Sequence, residues 1–179
     1  LYAFSLENFD RPKEEFDYLM NIFKTEFEKL EKDKRIDENK IRIRFIGRIW
    51  KFNKELQEVM KKIEYKRKDY DSYFINFAMA YSGRAEIIDA VKKLSNDIKE
   101  NKLSIDDLNE EVFNKNLYLT SEPDLIIRTG GEKRISGFLL WQGSYAEYIF
   151  SDKMWPEFKK YDLINAIEEY SKRQRRFGQ

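Results

Sequence analysis

"YFINFAMAYSGRAEIIDAVKKL", from Tyr73 to Leu94, is the stretch of sequence that indicates the fold. The run Tyr73–Tyr81 is almost continuously apolar, which is typical of a strand buried on both faces of a parallel sheet. A Ser-Gly turn follows, and apolar residues then recur with the period of a helix. Their spacing predicts a buried stripe of Ile87, Ile88, Val91 and Leu94. A buried strand that passes directly into an amphipathic helix favours an α/β domain.

The sequence before this stretch repeats the same alternation. "LYAF" (residues 1–4) and "KIRIRFIG" (residues 40–47) are typical of strands, and a helical pattern follows each of them. The apolar face of the first helix, which should start near Pro12, consists of Phe16, Leu19, Met20, Phe23, Phe27 and Leu30. That of the second consists of Leu56, Val59, Met60 and Ile63.

The sequence after the stretch continues the pattern. We expect a short helix after Ser104, which has capping-box spacing to Asp107, then a buried strand at "DLIIR" (residues 124–128). A closing amphipathic helix is predicted over residues 162–177. The sequence therefore predicts a single α/β domain over residues 1–179, with a mostly parallel central sheet flanked by helices.

Composition excludes several classes of chemistry. The chain carries 34 basic and 33 acidic residues, so any anion binding must be local. It has no cysteine and no histidine, which excludes disulfides, thiolate catalysis, Ser/His/Asp triads and zinc held by either residue type. No apolar run reaches the roughly 18 residues of a membrane span, and we expect a cytoplasmic protein.

Polar and charged residues follow three of the predicted strands. In open α/β sheets, ligands bind outside the carboxyl ends of the strands. These three groups are Ser5, Glu7, Asn8 and Arg11; Ser82, Gly83 and Arg84; and Arg128, Thr129, Gly130, Gly131, Arg134 and Ser136. We therefore expect a ligand site at these strand ends.

The group after "DLII" suits a phosphate or diphosphate. Adjacent glycines at 130 and 131 would let backbone N–H groups form an anion nest, while Arg128 and Arg134 offer forked donors and Ser136 a hydroxyl. A glycine turn with surface arginines is the alternative interpretation. The sequence G-x-x-x-x-G-K-[ST] does not occur, so the site is not a Walker loop.

Three further features have two interpretations each. Glu147, an acid among aromatic residues, suits either a magnesium ion that bridges to a diphosphate or an ion pair with an arginine. "DDLNE" (residues 106–110) resembles a magnesium-binding DDxxD motif, but acids after a Ser cap favour a structural role. "KRQRRF" (residues 172–177) suits nucleic acid, but cations in a last helical turn or at a subunit contact explain it better.

Four segments together resemble the cis-prenyltransferases, the undecaprenyl diphosphate synthase family. The segments are "LYAFSLENFDRPKEEFDYLM", "FINFAMAYSGRAEIIDAVKKL", "PDLIIRTGGEKRISGFLLWQGSYAEYIFSDKMWPEF" and "RQRRFG". The resemblance implies repeated condensation of isopentenyl diphosphate onto an allylic diphosphate, farnesyl or geranylgeranyl diphosphate. The product would be a long undecaprenyl-type diphosphate, a precursor of a glycosyl carrier lipid.

The same resemblance implies a cofactor, partners and a tunnel. Mg²⁺ would be required, and the protein would be a homodimer with a hydrophobic tunnel in each subunit. Phe16, Met20 and Phe23 are candidates for one tunnel wall, and ordinary core packing is the alternative interpretation. A peripheral membrane contact would serve product release, and no nucleic acid would bind.

The resemblance implies roles for the residues of this chain that match the family's motifs. Arg128, Arg134, Ile135 and Ser136 would hold isopentenyl diphosphate, and Glu147 would be a magnesium ligand. Ser5, Leu6, Glu7, Phe9 and Arg11 would line the substrate site, with Arg11 on a diphosphate. Asn8 matches the catalytic residue that the family uses as proton acceptor. Because a neutral amide is a poor base, we expect Asn8 to orient substrate while the departing diphosphate removes the proton.

Some positions depart from the family pattern. The N-terminal Asp-Gly-Asn-Gly/Arg-Arg-Trp loop with its catalytic Asp is absent, so we expect residues 1–179 to be inactive alone and the full-length protein to be the enzyme. Phe9 replaces Trp, Arg48 replaces Asp, and "AYS" (residues 80–82) replaces Asn-Tyr-Gly. These changes affect specificity near the loops and remove no phosphate ligand.

Two other functions remain open. A non-catalytic subunit of a heteromeric cis-prenyltransferase is the first, and the presence or loss of the upstream Asp would decide it. An RNA-binding module is the second, based on the Arg-rich strand and the basic end. A net charge of +1 argues against RNA binding.

Overall fold

The computed structural model describes residues 1–173 and forms two compact units, Leu1–Glu86 and a second unit from Ile87 onward. Each unit combines parallel strands with helices, so the predicted α/β class is confirmed. The predicted end of the closing helix, residues 174–177, lies outside the described residues.

The first unit is built on three strands. They are β1 (Tyr2–Ser5), β2 (Ile41–Ile46) and β3 (Tyr73–Tyr81). The helices of this unit are α1 (Lys13–Lys32), α2 (Lys34–Glu38) and α3 (Lys54–Lys66). Short 3-10 turns over Leu6–Asp10 and Ile49–Lys51 follow β1 and β2.

Strand β3 pairs in parallel with both other strands, in the order β1-β3-β2. Ser5, the last residue of β1, lies beside Tyr81, the last residue of β3. Beyond β2, the N–H of Arg48 donates to the carbonyl oxygen of Ala80 at 3.1 Å. The carboxyl ends of all three strands therefore lie at one edge of the sheet.

Gly47 directly follows β2, at a point where its backbone closely approaches that of β3. Its φ is +118°, and a Cβ added there would lie 2.2 Å from the carbonyl oxygen of Met79. Only a residue without a side chain fits at this separation. Gly47 therefore fixes the point at which β2 turns away from β3.

Aromatic side chains fill the core of the first unit. Phe27 contacts Phe45 with ring centroids 4.8 Å apart, and Phe4 lies 5.2 Å from Phe9. The predicted apolar face of α1 packs on this core, with Met20 and Phe27 buried and the rest half-buried. Leu56, Met60 and Ile63 of α3 are buried on it as well. The two predicted helical faces are confirmed.

Two burial predictions around β3 are wrong in part. Tyr73 and Phe74 are 63% and 60% exposed at the start of β3, before its pairing with β1 begins. In α4 (Gly83–Lys99), Ile88 and Val91 are 49% and 44% exposed.

The buried side chains of α4 are those of Glu86, Ala90 and Leu94, spaced four residues apart. The Glu86 carboxylate accepts a hydrogen bond from the Tyr81 hydroxyl. The buried face of α4 therefore includes a hydrogen-bonded acid, and the predicted apolar stripe lies partly outside it.

The second unit contains a two-stranded parallel sheet of β4 (Leu125–Arg128) and β5 (Glu147–Phe150). Helix α4 begins in the first unit and continues into the second. The other helices are α5 (Glu110–Asn114) and α6 (Lys160–Ser171), with 3-10 turns over Ile105–Asp107 and Trp155–Glu157. Among residues 1–173, no helix has both the length and the apolar character needed to cross a bilayer.

The helix predicted directly after Ser104 begins later. Ser104 accepts from the N–H of Asp106 at 3.3 Å and caps only a 3-10 turn. Helix α5 starts at Glu110, where Asn109 accepts from the N–H of Val112 at 3.0 Å. The acidic residues of "DDLNE" thus lie in the first turns of these elements, which agrees with the structural interpretation of that motif.

A buried arginine joins the three helices of the first unit. Arg67 follows α3, and its side chain is fully buried. Its Nη2 donates to the carbonyl oxygens of Leu30 and Glu31 in the last turn of α1, at 3.3 and 2.8 Å. Its Nε lies 2.9 Å from Oδ1 of Asp37 in α2. Partial burial tends to raise the pKa of Asp37, but Lys66 and Arg67 together lower it.

We predict that Arg67→Met lowers the free energy of unfolding by roughly 3 kcal/mol, because it leaves two helix-end carbonyls and Asp37 without their buried partner. Urea denaturation of the purified protein measures this change. Arg35→Met is the matched control, since the Arg35 side chain is 83% exposed and pairs with Asp33 at the surface. Equal losses in both variants would show that Arg67 does not hold the helices together.

Candidate functional site

The turn Leu6–Asp10 carries the predicted site residues of the first unit. It begins at Ser5, the last residue of β1, and therefore lies at the carboxyl edge of the sheet. Leu6 and Phe9 pack against the aromatic core, while Glu7 is exposed. This placement agrees with the expected position of ligands in open parallel sheets.

Asn8 shapes this turn through its side chain. Its Oδ1 accepts from the N–H of Ser5 at 2.8 Å, which engages the amide oxygen. Its Nδ2 contacts no acceptor in residues 1–173. The side chain therefore offers a hydrogen-bond donor rather than a base, in agreement with an orienting role.

The cations at this edge differ in their partners. Arg11 forms an i,i+4 ion pair with Glu15 at the start of α1. Ser82 is buried after β3, and Gly83 begins α4. Arg84 is exposed and forms no ion pair with any residue of the described chain.

In the second unit, the structure brings Arg128 and Ser136 together. Arg128 ends β4, and its Nη1 donates to Oγ of Ser136 at 2.9 Å. Ser136 has a φ of +46°, a left-handed conformation that costs a residue with a side chain about 1–3 kcal/mol. This strained backbone conformation places the Ser136 hydroxyl within hydrogen-bond distance of the Arg128 guanidinium.

The predicted anion nest at the double glycine is wrong. The N–H of Gly130 donates to the carbonyl oxygen of Lys153 at 2.8 Å, and that of Gly131 to Ser151 at 3.0 Å. Both glycines have positive φ values, +91° and +74°, which let the chain continue its pairing beyond β4. Their N–H groups are therefore engaged, and side chains supply the donors of this loop.

Arg134 and Ile135 lie in the same loop as Ser136. Arg134 is 65% exposed at its side chain and pairs with Glu132 at 2.7 Å. Ile135 is half-buried, and its carbonyl oxygen accepts from the N–H of Phe138 at 3.0 Å. An exposed ion pair of this kind is weak, so the Arg134 guanidinium is available to an anion of higher charge.

Glu147 begins β5 and pairs with an arginine. Its Oε2 accepts from Nη1 of Arg173 at 2.7 Å, and the same Nη1 donates to the carbonyl oxygen of Tyr148 at 3.1 Å. Glu169 contacts the other end of the guanidinium. Glu147 and Glu169 together raise the pKa of Arg173. The ion-pair interpretation of Glu147 is therefore what the structure shows.

Glu147 and Arg128 lie at opposite ends of the small sheet. Glu147 pairs with Leu125 at the start of β4, whereas Arg128 pairs with Phe150 at the end of β5. At about 3.3 Å per residue, roughly 10 Å of strand separates the two positions. The structure therefore does not bring the carboxylate together with the Arg128–Ser136 pair.

Glu147 offers a single carboxylate oxygen to a hard divalent cation. Oε1 of Glu147 contacts no donor within residues 1–173, so one carboxylate oxygen is available. Mg²⁺ commonly uses one or two carboxylates and completes its shell with water and phosphate oxygens. No group of three or more acidic side chains that could hold a metal occurs in the described part of the chain.

Sequence reasoning missed strand β5 and Arg173 as the partner of Glu147. The run "EYIF" has the apolar character of a strand and follows a glycine turn, which is a signal that could have found β5. Nothing in the sequence indicates that Arg173 meets Glu147, because the two residues are far apart along the chain.

Comparison with protein families and curated proteins places this chain among prenyl diphosphate synthases. Residues 1–178 match the family described as "Putative undecaprenyl diphosphate synthase". A tritrans,polycis-undecaprenyl-diphosphate synthase (geranylgeranyl-diphosphate specific) of Methanocaldococcus jannaschii is 47% identical over 99% of this chain. The Pyrococcus furiosus protein of the same name is also 47% identical over 99% of it. The chain spans 65% of the first relative and 68% of the second.

Solved structures agree with these relatives. A probable undecaprenyl diphosphate synthase from Campylobacter jejuni has a TM-score of 0.88 and 37% identity, over 100% of this chain and 82% of that one. Lavandulyl diphosphate synthase from Lavandula x intermedia, in complex with dimethylallyl diphosphate, has a TM-score of 0.95 and 32% identity. The match covers 99% of this chain and 77% of that one.

We predict that Arg128→Gln and Ser136→Ala each weaken the binding of inorganic diphosphate to the full-length protein. A lost hydrogen bond to a charged group costs about 1.5–3 kcal/mol, so the Kd should rise at least tenfold for Arg128→Gln. Isothermal titration calorimetry measures the Kd. Arg35→Gln, at an exposed ion pair elsewhere, should leave it unchanged. Unaltered Kd values in both loop variants would exclude this loop as the diphosphate site.

Proposed function

Because the chain belongs to the undecaprenyl diphosphate synthase family, we propose that the full-length protein elongates a prenyl chain in cis geometry. It condenses isopentenyl diphosphate onto an allylic diphosphate and repeats this step. The Arg128–Ser136 pair after β4 is the observation that supports this proposal most directly. The activity is proposed for the whole protein, since the chain covers less than two thirds of the M. jannaschii relative.

In the second unit, Arg128, Arg134 and Ser136 would hold the diphosphate of isopentenyl diphosphate. The Arg128 guanidinium already donates to the Ser136 hydroxyl, so both groups are placed before a ligand arrives. Preorganised donors lose little free energy to reordering when the ligand binds. Ile135, half-buried between Arg134 and Ser136, would contact the carbon part of the same substrate.

In the first unit, the residues of the Leu6–Asp10 turn would line a substrate site. The Nδ2 donor of Asn8 would orient a substrate oxygen, and Arg11 would exchange Glu15 for a diphosphate. Exchange is favourable because an exposed i,i+4 ion pair contributes only about 0.3–0.5 kcal/mol. Phe9 would present its ring to the prenyl chain.

The reaction breaks a C–O bond and a C–H bond, forms a C–C bond and shifts the position of the isopentenyl double bond. The C–O bond of the allylic diphosphate breaks, the isopentenyl double bond attacks the allylic carbon, and a new C–C bond forms. The proton that leaves the isopentenyl unit would go to the departing diphosphate, since Asn8 is no base. The cations named above would stabilise the negative charge that develops on the leaving group.

Magnesium is the proposed cofactor, with Glu147 as its ligand. Its available oxygen suits a hard divalent cation. When bound, the ion would supply positive charge at the start of β5, roughly 10 Å of strand from the Arg128–Ser136 pair. In this chain Arg173 holds the other carboxylate oxygen and fixes the orientation of Glu147.

The proposed allylic starter is geranylgeranyl diphosphate. The names of the M. jannaschii and P. furiosus relatives specify this substrate, and each relative is 47% identical to the chain. The proposed product is an undecaprenyl-type diphosphate. Its growing chain would enter an apolar interior, and burial contributes about 0.8 kcal/mol per CH₂. Phe16, Met20 and Phe23 lie against the aromatic core, so their role as a tunnel wall stays a prediction.

A homodimer is proposed on the basis of exposed apolar side chains in the second unit. Leu163, Ile164 and Ile167 of α6 are 43%, 42% and 50% exposed, and Trp155 is 63% exposed. Surfaces with contiguous apolar residues commonly mark protein interfaces. The cytoplasmic location and a membrane contact for product release also stay predictions.

We expect the full-length protein with Mg²⁺ to incorporate labelled isopentenyl diphosphate into long polyprenyl products. Geranylgeranyl diphosphate should give a higher kcat/KM than farnesyl diphosphate. Arg128→Gln should lower kcat/KM about 100-fold, the usual effect of removing one preorganised donor. Arg35→Gln serves as the control.

Two outcomes would contradict this proposal in different ways. Diphosphate binding without any isopentenyl incorporation would indicate the non-catalytic subunit of a heteromeric enzyme. If the protein shows no diphosphate binding and no isopentenyl incorporation, the proposed prenyltransferase activity is refuted. Sizing the products by chromatography determines the chain length.

We also predict that Ile167→Asp shifts the full-length protein from dimer to monomer, because it places a charge within the exposed apolar row of α6. Light scattering after size exclusion measures the mass. Ser121→Asp, at an exposed position of the second unit, is a control for added negative charge alone. A monomeric wild-type protein would refute the dimer, and a dimeric Ile167→Asp variant would place the interface elsewhere.

A further inference from the structure

We propose that Lys51 is an additional diphosphate-binding residue at the carboxyl edge of the first unit's sheet. The inference deepens the proposed function and rests on it, since it assigns a residue to the binding of a substrate diphosphate. No motif in the sequence and none of the comparisons assigns a role to Lys51.

The fold places Lys51 beside the Leu6–Asp10 turn. Lys51 ends the 3-10 turn that follows β2, and β2 and β1 both run parallel to β3. The rings of Phe9, in the first turn, and Phe52, directly after the second, pack together with centroids 5.4 Å apart. Lys51 therefore lies at the same sheet edge as Ser5 and Asn8.

The Lys51 ammonium is held next to a candidate site residue. Its Nζ lies 5.2 Å from the centroid of the Phe9 ring. That ring is itself fixed, because it packs against Phe4 at 5.2 Å and Phe16 at 5.5 Å. The ammonium of this exposed lysine therefore lies over a ring that the core holds in place.

The Lys51 ammonium has no carboxylate partner in residues 1–173. Glu7 and Asp10 lie on the neighbouring turn, yet neither forms an ion pair with it. By contrast, Arg11 pairs with Glu15, and Lys24 pairs with Glu55. Lys51 thus brings positive charge to the ligand edge that no acid of the chain neutralises.

Interaction strengths favour transfer of this ammonium to an anion. A cation–π contact at an exposed site contributes about 0.5–1 kcal/mol. A charge-assisted hydrogen bond to a phosphate oxygen contributes about 1.5–3 kcal/mol. The four-carbon stem of lysine lets the ammonium turn from the ring to a nearby anion. The ligand class is therefore a diphosphate, carried by either the allylic starter or isopentenyl diphosphate.

The test measures the binding of three probes to the full-length protein by calorimetry: inorganic diphosphate, geranylgeranyl diphosphate and isopentenyl diphosphate. Lys51→Gln should raise the Kd of inorganic diphosphate about tenfold, while Lys51→Arg should stay within about twofold of wild type. A rise with only one of the prenyl substrates identifies which diphosphate Lys51 contacts. Lys61→Gln is the matched control, since Lys61 pairs with Glu58 on the surface of α3.

Unchanged Kd values for all three probes in Lys51→Gln would overturn the proposal, and so would equal losses in Lys51→Gln and Lys61→Gln. Failure of the proposed function gives a different result. In that case wild-type protein incorporates no isopentenyl units, while the inorganic diphosphate titration still reports on Lys51. Circular dichroism of each variant shows that it is folded, so a loss of binding reflects the side chain.

Discussion

The pairing of β3 with strands on both of its edges is the constraint on which the first unit depends. Because both pairings are parallel, the carboxyl ends of the three strands lie at one edge of the sheet. Each connection must cross back to the opposite edge, and α1 and α3 supply these crossovers. The polar turns at Leu6–Asp10 and Ile49–Lys51 are therefore neighbours, although about forty residues separate them in the chain.

The cations of the candidate sites fall into two groups by the partners they have without a ligand. Arg128 donates to a neutral hydroxyl and Lys51 lies over a ring, so neither has its charge neutralised by these contacts. Arg11 and Arg173, by contrast, are paired with carboxylates. The first group can bind an anion without breaking an ion pair. The second group must first give up its carboxylate partner. The strongest binding contribution is thus expected from residues that the fold leaves with weak partners.

Much of the fold followed from the periodicity of the sequence. The α1 face and strand β3 were predictable, because apolar spacing reports directly on which side of an element is buried. The orientation of α4 was not, since the buried Glu86 is an acid that a hydrophobic pattern counts as exposed. The anion nest failed for a similar reason: the sequence indicates that Gly130 and Gly131 have flexible backbones, but not which carbonyls their N–H groups meet.

Site residues that depend on long-range contacts could not be found from local patterns. Ser136 and Arg128 are close in sequence, and the resemblance implies a shared role for them, but their hydrogen bond to each other was not predicted. Arg173 and Glu147 meet across β5 and the end of α6, and Lys51 reaches Phe9 from a different crossover. Such contacts depend on how the strands are ordered in the sheet, which residue spacing alone does not determine.

Gly47 has a consequence for how sequences of this kind should be aligned. Its close approach to the Met79 carbonyl fixes the point at which β2 ends. The number of residues between Gly47 and Lys51 therefore determines where the Lys51 side chain lies. An insertion of one residue between these two positions would turn the ammonium away from Phe9 without changing any motif. A gap placed here in an alignment would therefore mark a homologue with a different electrostatic surface at this edge of the sheet.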